Sequence, residues 1–378
     1  MKKKCTSISN YLSIFLNNMP LMDVRAPVEY KKGTFPNACN LPLLDDTQRA
    51  IIGTCYKKEG HEAAISLGNT LATDTIREQR IKSWEPFVSN NPNGCLFCFR
   101  GGERSHITQA WLKEAGYDYP LIEGGYKAMR SYLIEQLEQS ISICNIIILS
   151  GKTGTGKTHV LNKLKGSIDL EGLANHRGSS FGGRVGGQPS QIDFENRLAI
   201  ALLQHRYNLP SQPVILEDES KLIGRCSLPK LLHNKMQIAP IVLLEETIDY
   251  RIDLAIKEYV INNLNDLRQV SNADQALARL FENLKNNLLR IKKRLGGLKF
   301  KILNDMLDNA ISQHKIHNDY CGYRPLIASL LLEYYDPMYD YQLAEKQGKI
   351  IYKGCSEAIV NNFSNITAKF FEQETVLK

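Results

Sequence analysis

The chain has 378 residues, of which 43% are hydrophobic and 23% are charged, and its formal net charge is +7. This length suffices for two or three domains with sizeable cores, and the composition excludes a collagen-like, disulfide-dense or largely disordered chain. The charge excess is modest, so charge alone does not separate a nucleic-acid-binding protein from an ordinary, slightly basic one.

Cysteine usage and the N-terminal segment indicate a compartment. The nine cysteines are scattered, and no two CxxC pairs stand at the spacing of a structural zinc site, so we predict a reducing environment and no structural metal. Lys2, Lys3 and Lys4 imitate the start of a signal peptide, but the apolar run from Tyr11 to Leu16 is too short for its core. No stretch is long enough to span a bilayer. We expect a cytoplasmic protein without a membrane partner.

Three regions differ in pattern, and together they predict an α/β protein. Residues 1–135 mix short apolar runs with turn signals and end in a polar helical stretch. Residues 136–248 repeat apolar runs that end in glycine or acidic residues, as the strands of a doubly wound parallel sheet do. Residues 249–378 follow a helical period, with a candidate last strand of that sheet near 349–353.

The segment from Gly94 to Ser105 carries the chemistry of the first region. Its pattern predicts a short strand, a tight loop that begins at Cys98, and a helix over 106–115 capped by Ser105. A loop that enters a helix N-terminus presents backbone N–H groups, which stabilise a thiolate or a bound oxyanion. Fixed charge and flexible backbone after Cys98 add to this effect and come from Arg100, Gly101, Gly102 and Arg104.

Two further interpretations of this loop concern Cys95 and the spacing between Cys98 and Arg104. Cys95 lies within the strand, so core packing is favoured over a redox pair with Cys98. Five residues separate Cys98 from Arg104, one more than in the common sulfurtransferase loop, and C-x5-R is also the spacing of cysteine phosphatases. The histidine that usually precedes a phosphatase cysteine is replaced by Phe97. A phosphatase is therefore a rival at this site.

The second region contains a phosphate-binding loop. An apolar strand over 145–150 precedes the sequence G-x4-G-K-T, and a helical pattern follows over 159–165. Glycines allow the backbone to wrap around phosphates, the lysine reaches the terminal phosphates and the threonine holds Mg²⁺. The diphosphate-binding residues predicted from this motif are Gly151, Gly154, Gly156, Lys157 and Thr158.

Carboxylates end the next apolar strand, over 213–216. Glu217 and Asp218 resemble a Walker B element and are the candidate magnesium-side groups. His176 and Arg177 are expected near the same site, with roles that the pattern does not define.

A basic segment lies in the helical region. Six cations fall within twelve residues, around the predicted break at Gly296-Gly297, and no acidic residue interrupts them. Contact with phosphates is the functional reading, and a solvated helix face is the alternative. The candidate nucleic-acid contacts are Arg290, Lys292, Lys293 and Arg294, and Lys299 and Lys301 extend the segment.

Several stretches together resemble a known family. The segments 21–30 and 33–42 look like the opening of a rhodanese domain, and a rhodanese domain followed by a P-loop domain is characteristic of the tRNA 2-selenouridine synthases. Further stretches that resemble this family are 53–57 with Gly68, 173–182, 217–220 and 334–339. The resemblance covers nearly the whole chain.

This resemblance implies a specific reaction. The substrate would be 2-thiouridine at the wobble position (U34) of the tRNAs for Lys, Glu and Gln. Geranyl diphosphate would first alkylate the sulfur, and selenium from selenophosphate would then replace the geranylated sulfur. Cys98 would carry selenium as S-selanylcysteine, and the wider C-x5-R loop suits a tetrahedral anion. An enzyme that supplies selenophosphate is an implied partner.

The geranyl step rests on resemblance alone, since the sequence contains no Asp-rich DDxxD prenyltransferase motif. The P-loop would then hold the diphosphate of geranyl diphosphate, with Mg²⁺ as a candidate cofactor. Two alternatives remain open at this stage. One is a C-x5-R phosphatase or kinase-like enzyme with a separate ATP-binding P-loop, and the other is a non-catalytic, ATP-dependent RNA-binding protein.

Overall fold

The computed structural model describes residues 7–179 and 181–376. Lys2, Lys3 and Lys4, and Ser180 of the stretch 173–182, lie outside the described residues. The described chain forms two compact units. Unit 1 comprises the residues up to Ser142 together with Ser190–Asn208, and unit 2 comprises Ile143–Pro189 and the chain from Leu209 onward.

The elements of the chain up to residue 143 are β1 (Ser7–Ile8), α1 (Tyr11–Leu16), β2 (Leu21–Asp23), α2 (Pro27–Tyr30), β3 (Ala38–Asn40), α3 (Asp46–Glu59), α4 (His61–Leu71), α5 (Asp74–Asn90), β4 (Cys95–Phe97), α6 (Glu103–Glu114), β5 (Leu121–Ile122) and α7 (Gly125–Ile143).

The elements that follow are β6 (Ile146–Gly151), α8 (Lys157–Leu161), β7 (Ser167–Ile168), α9 (Leu170–Leu173), α10 (Gln191–Asn208), β8 (Val214–Glu217), β9 (Leu222–Ile223), β10 (Cys226–Ser227), α11 (Lys230–Ile238), β11 (Ile241–Leu244), α12 (Ile248–Ile256), a π-helical segment (Lys257–Asn262), α13 (Asn263–Val270), α14 (Ala273–Arg290), α15 (Lys292–Leu295), α16 (Gly297–His317), a 3₁₀ turn (Cys321–Tyr323), α17 (Arg324–Leu330), a second π-helical segment (Leu331–Tyr335), α18 (Asp336–Ala344), β12 (Ile350–Gly354) and α19 (Ser356–Val376).

Unit 1 is built on a five-stranded parallel sheet with the strand order β1-β5-β4-β2-β3. The central strand β4 is fully buried, as expected for a strand covered on both faces. Its core includes Met22, Leu96 and Trp84, each fully buried. The carboxyl end of β4 leads directly into the loop that begins at Cys98.

Unit 2 is built on a second five-stranded parallel sheet with the order β12-β11-β6-β8-β7. Its central strand β6 is buried along its length and ends in the glycine-rich loop. The strand β12, where the sequence suggests a late strand, pairs in parallel with β11. The α/β class with parallel sheets is thus confirmed.

The helices from α12 to α18 share one apolar core in unit 2. The helix α14 begins after Asn272, whose side chain accepts a hydrogen bond from the Gln275 N–H group. Its buried face contains Leu280, Leu284 and Leu288, at three- and four-residue steps. The predicted break occurs at Gly296, where φ is +79°.

Domain boundaries differ from the prediction in two places: unit 1 continues through α7 to Ser142 and not only to residue 135, and it includes α10. The sequence assigned α10 to the region 136–248, but this helix belongs to unit 1 because its polar side chains bond there. Asn196 donates to the Thr34 carbonyl at 2.6 Å, and Gln204 donates to the Phe15 carbonyl at 2.8 Å. The region 249–378 is part of unit 2 and not a separate body.

Every helix in the described part of the chain is too short or too polar to cross a membrane.

Candidate functional sites

The first site is the loop after β4. The helix α6 begins at Glu103 with Gly102 as its N-cap, three residues before the predicted cap Ser105. Ser105 is instead fully buried in the first turn, and its hydroxyl has no hydrogen-bond partner among the described residues. The cap is different because the glycine pair already turns the chain into the helix. Cys98 is 3% exposed, at the base of the loop.

A second glycine pair holds the cysteine loop in place. Gly124 and Gly125 have φ of +66° and +56°, a region that favours glycine. A Cβ on Gly125 would lie 2.3 Å from the Cys98 carbonyl oxygen, so this close approach requires glycine. The N–H of Tyr126 donates to that carbonyl at 2.9 Å. This pair was not predicted from the sequence, although a Gly-Gly dipeptide after a short apolar strand is its signal.

The Cys98 loop contains backbone N–H groups that are available to bind a ligand. Within the described chain, the backbone N–H groups of residues 99–104 donate no hydrogen bond to another residue. The Cys98 Sγ lies 3.9 Å from the Gly102 carbonyl oxygen, and Arg100 is exposed at the rim. Free N–H groups at a helix N-terminus can bind an anion, and so the loop can hold a tetrahedral anion close to the thiol.

Arg104 is held by an acidic partner. Its guanidinium donates to both carboxylate oxygens of Glu29, at 2.5 and 3.2 Å. Burial opposes the charge of Arg104, but the hydrogen bonds and charge of Glu29 outweigh it and raise the pKa of the guanidinium. Arg104 is therefore oriented from α2, and the cation of the C-x5-R pattern stays charged beside the loop.

A buried ion pair supports the neighbouring strand end. Arg25 and Asp23 are 1% and 0% exposed, and the Arg25 Nη2 atom donates to an Asp23 oxygen at 2.6 Å. The guanidinium also lies 3.9 Å from the centroid of the Tyr126 ring, at the start of α7. This pair ties the end of β2 to the helix that holds the cysteine loop.

Cys95 has a different environment from Cys98. It is fully buried within β4, and burial raises the pKa of its thiol to about 12. Such a thiol stays protonated and unreactive at neutral pH. The sequence expectation that Cys95 packs in the core agrees with this position.

The second site is the glycine-rich loop of unit 2. It follows β6 and enters the short helix α8, which ends at Leu161 and not at the predicted residue 165. Gly154 and Gly156 both have φ of +83°. A Cβ on Gly154 would lie 2.8 Å from the Arg251 carbonyl oxygen, so glycine is required there. Strand, loop and helix follow one another as the motif demands.

Lys157 lies over the loop. Its ammonium group donates to the Gly151 carbonyl oxygen at 2.7 Å and stands 5.4 Å from the centroid of the Tyr339 ring. Burial opposes its charge, but Tyr339, Glu171 and Glu219 more than offset this and raise its pKa. Lys157 is therefore a fixed cation at the glycine-rich loop.

Three glutamates, Glu171, Glu217 and Glu219, lie close to one another beside the glycine-rich loop, and only Glu217 was predicted as a site residue from the sequence. Glu217 is fully buried, and one of its carboxylate oxygens accepts from the Glu171 N–H at 2.5 Å while the other has no hydrogen-bond partner among the described residues. Burial, followed by repulsion from Glu171, raises the pKa of Glu217 and of Glu219 well above the usual value. Gly178, with φ of +57°, leaves room for Glu171 and Glu219.

Asp218, one of the two predicted magnesium-side groups, contacts two other side chains in this structure. One of its oxygens accepts from the Ser150 hydroxyl at 2.6 Å, and the other pairs with Lys346. Glu171 is a further candidate, since its Oε2 atom lies 3.4 Å from the Thr158 hydroxyl. Among the described residues, no group of three or more histidine, cysteine, aspartate or glutamate side chains is arranged to hold a metal ion.

A pocket of about 200 Å³ opens beside the loop. Arg177 lines it, as predicted, and lies 3.6 Å from a Glu258 oxygen. Arg184 lines it too, and its Nε atom has no hydrogen-bond partner among the described residues. His176 does not line the pocket, and burial followed by repulsion from Arg184 lowers its pKa. The pocket thus combines the loop with two arginines and Lys157, which suits a diphosphate.

A buried ion pair, formed by Arg251 and Asp336, supports the glycine-rich loop. Arg251 donates to Asp336 at 2.9 and 2.5 Å and to the Thr153 carbonyl oxygen at 2.9 Å. Asp336 lies in the stretch 334–339, which the sequence analysis singled out by resemblance. Its role here is to fix Arg251, and through it the glycine-rich loop.

The basic segment is exposed, as a surface for phosphates would be. Arg290, Lys292, Lys293 and Arg294 lie at the end of α14 and in α15. Lys299 is engaged with Glu333 at 2.9 Å. The structure does not bring these side chains into the pocket beside the glycine-rich loop.

Comparisons with known proteins address both units. Residues 144–369, more than half of the chain, match the family model described as the tRNA 2-selenouridine synthase AAA domain. The tRNA 2-selenouridine synthase of Marinobacter nauticus is 49% identical over 93% of this chain and 95% of its own length.

The chain belongs to the tRNA 2-selenouridine synthase family.

Other members are similar along the same length. The tRNA 2-selenouridine synthase of Hahella chejuensis is 46% identical over 94% of each chain, and that of Alcanivorax borkumensis is 48% identical over 94% of this chain and 98% of its own. These matches extend through both units, so the cysteine loop and the glycine-rich loop lie within the span shared with the tRNA 2-selenouridine synthases. The resemblance to the tRNA 2-selenouridine synthase family is confirmed.

Proposed function

We propose that the protein modifies tRNA and converts wobble 2-thiouridine to 2-selenouridine in two steps, each at one of the two sites. Membership of the tRNA 2-selenouridine synthase family supports the overall reaction. The single observation that carries the division is the presence of two chemically different anion sites. One is the Cys98 loop and the other is the pocket around Lys157.

The first proposed step takes place at the pocket of unit 2. The sulfur of 2-thiouridine forms a bond to C1 of the geranyl chain while the C1–O bond breaks. Diphosphate leaves with the bonding electrons, and the base releases its N3 proton. Lys157, Arg177 and Arg184 would stabilise the charge that develops on the leaving diphosphate.

The proposal includes Mg²⁺ as a cofactor of this step. Magnesium takes one or two carboxylates together with phosphate oxygens and waters. Thr158 and Glu171 are the residues that would hold it, since their side-chain oxygens lie together at the pocket. Bound there, the ion would neutralise part of the diphosphate charge.

The second proposed step takes place at the cysteine loop of unit 1, which we assign as a rhodanese-like module. Selenophosphate is the proposed donor, and Cys98 the residue that handles it. Selenium forms a bond to C2 of the geranylated base while the C2–S bond breaks and geranylthiol leaves, and water then cleaves the Se–P bond and releases phosphate. The free N–H groups of residues 99–104, with Arg100 nearby and Arg104 behind them, suit a tetrahedral anion. We place tRNA contacts on the basic segment 290–294.

Nucleoside mass spectrometry tests the proposal. The purified protein is incubated with 2-thiouridine tRNA, geranyl diphosphate and selenophosphate, and the digest is searched for S-geranyl-2-thiouridine and 2-selenouridine. We expect only the geranylated nucleoside without selenophosphate and both nucleosides with it. Unchanged 2-thiouridine with verified donors would contradict the proposal. Hydrolysis of a chromogenic phosphate by the same sample would then support the phosphatase alternative.

A further inference from the structure

An apolar chamber lies in the helical part of unit 2. It has a volume of about 60 Å³ and is lined by hydrophobic surface from α12, α14, α17 and the two π-helical segments. Its walls include Val260, Leu284, Leu326, Leu330 and Leu331. Protein interiors are close-packed, and empty cavities of this kind stay dry and accept apolar ligands.

The chamber adjoins the phosphate pocket. Thr153, Ser179, Ala255 and Tyr259 line both spaces. Thr153 belongs to the glycine-rich loop itself, and the Ser179 and Tyr259 hydroxyls lie 3.1 Å apart, within hydrogen-bond reach. A ligand with its charged end against Lys157 can therefore extend an apolar end past these side chains into the chamber.

The helices around the chamber are irregular. Both π-helical segments of the described chain contribute to its walls, with Val260 from Lys257–Asn262 and Tyr335 from Leu331–Tyr335. A π-helical turn costs stability relative to a regular helix and is found mostly at functional sites. A simple packing defect in a helical core would not require two π-helical turns around the same cavity.

We propose that this chamber is the subsite for the distal end of the prenyl chain, and that its walls set the chain length of the diphosphate that the protein uses. This inference rests on the proposed geranyl transfer. The charged head and first isoprene unit occupy the pocket of about 200 Å³, and the last isoprene unit enters the smaller chamber. A longer chain would meet Leu284 and Leu330.

Chain-length competition tests the proposal. Wild-type protein and variants receive 2-thiouridine tRNA with equal concentrations of geranyl and farnesyl diphosphate, without selenophosphate, and the two S-prenyl nucleosides are quantified. Leu284→Ala enlarges the chamber, so we expect the farnesyl-to-geranyl ratio to rise about tenfold, as discrimination by a hydrophobic pocket allows. Leu284→Phe fills it, and we expect geranyl transfer to fall while transfer from the five-carbon dimethylallyl diphosphate persists.

The matched control is Leu280→Ala. Leu280 lies one turn earlier in α14 and is buried in the same core but does not line the chamber. Its product ratio should match that of the wild type. If Leu284→Ala does not fold, Leu330→Ala, in α17, enlarges the same chamber and its product ratio tests the proposal independently.

Two results would overturn the inference in distinguishable ways. If Leu284→Ala and Leu330→Ala geranylate tRNA with the same product ratio as Leu280→Ala, the chamber is not the prenyl subsite, although the proposed function stands. If the wild type forms neither prenylated nucleoside from verified donors, the proposed geranyl transfer fails, and the chamber proposal fails with it.

Discussion

The two sites of this chain bind anions by different means. The Cys98 loop relies on backbone: two glycine pairs and free N–H groups shape it, and the guanidinium of Arg104 is held by Glu29. The pocket around Lys157 relies on side-chain charge, with two arginines on one side and crowded glutamates on the other. The first arrangement suits a small anion beside a nucleophile. The second suits a larger, highly charged leaving group.

The largest expected effect comes from Cys98→Ser. The selenium-handling thiol is lost, so we expect 2-selenouridine formation to fall at least about a thousandfold, while S-geranyl-2-thiouridine still forms. Nucleoside mass spectrometry measures both. The matched control, Cys95→Ala, removes a buried thiol three residues away and should retain both products. Normal selenation by Cys98→Ser would show that another group handles selenium.

Lys157→Ala tests the role of the pocket of unit 2. It removes the cation that lies over the glycine-rich loop, so we expect the rate of geranyl transfer to fall about 10²- to 10³-fold. The control is Lys163→Ala, which removes an exposed lysine of the following segment. Equal rates of geranyl transfer in the two variants would remove Lys157 from the proposed step.

Arg25→Ala tests how unit 1 is held together. It leaves Asp23 as an uncompensated buried charge, and breaking a buried ion pair typically costs about 3–5 kcal/mol. We expect the free energy of unfolding, measured by denaturant titration, to fall by this amount. Arg49→Ala, whose side chain is 47% exposed, should cost less than about 1 kcal/mol. Similar losses in both variants would contradict the assigned role of the pair.

The smallest effect concerns the crowded glutamates of unit 2. The pKa of Glu217 is raised in the folded state, mainly by burial, so its stabilising contribution is complete below the unfolded pKa and is lost as pH rises through the folded pKa. Glu217→Gln removes the buried charge. We therefore expect a Tm above that of the wild type at pH 8, by about 2–4 °C for each kcal/mol gained, and a weaker fall in Tm between pH 5 and pH 8.

Scanning calorimetry across this pH range measures the effect, and exposed Glu282→Gln is its control. A Tm for Glu217→Gln that falls with pH as steeply as that of the wild type would show that Glu217 is not the group that titrates.

The parts of the fold that follow from local sequence patterns could be predicted. The glycine-rich motif located the end of β6, and the helical period located α14 and the break at Gly296. The class of fold and both loops could be predicted because a strand, a glycine loop and a helix follow one another within about fifteen residues.

The sequence did not predict contacts between residues that are far apart in the chain. The membership of α10 in unit 1 depends on hydrogen bonds to Thr34 and Phe15, over 150 residues away in sequence, that no local pattern encodes. Glu171 was missed because it precedes the carboxylates at the end of β8 by 46 residues and meets them only through the sheet. The sequence also does not reveal that Lys346 pairs with Asp218.

The division of labour between the two sites is the central claim, and one measurement tests it most directly. The Lys157→Ala variant is given tRNA that already carries S-geranyl-2-thiouridine, together with selenophosphate, and the rate of 2-selenouridine formation is compared with that of the wild type. The account predicts equal rates, because selenation would need the cysteine loop of unit 1 and not the pocket of unit 2. A rate as low as that of Cys98→Ser would contradict it, since the pocket would then serve both steps.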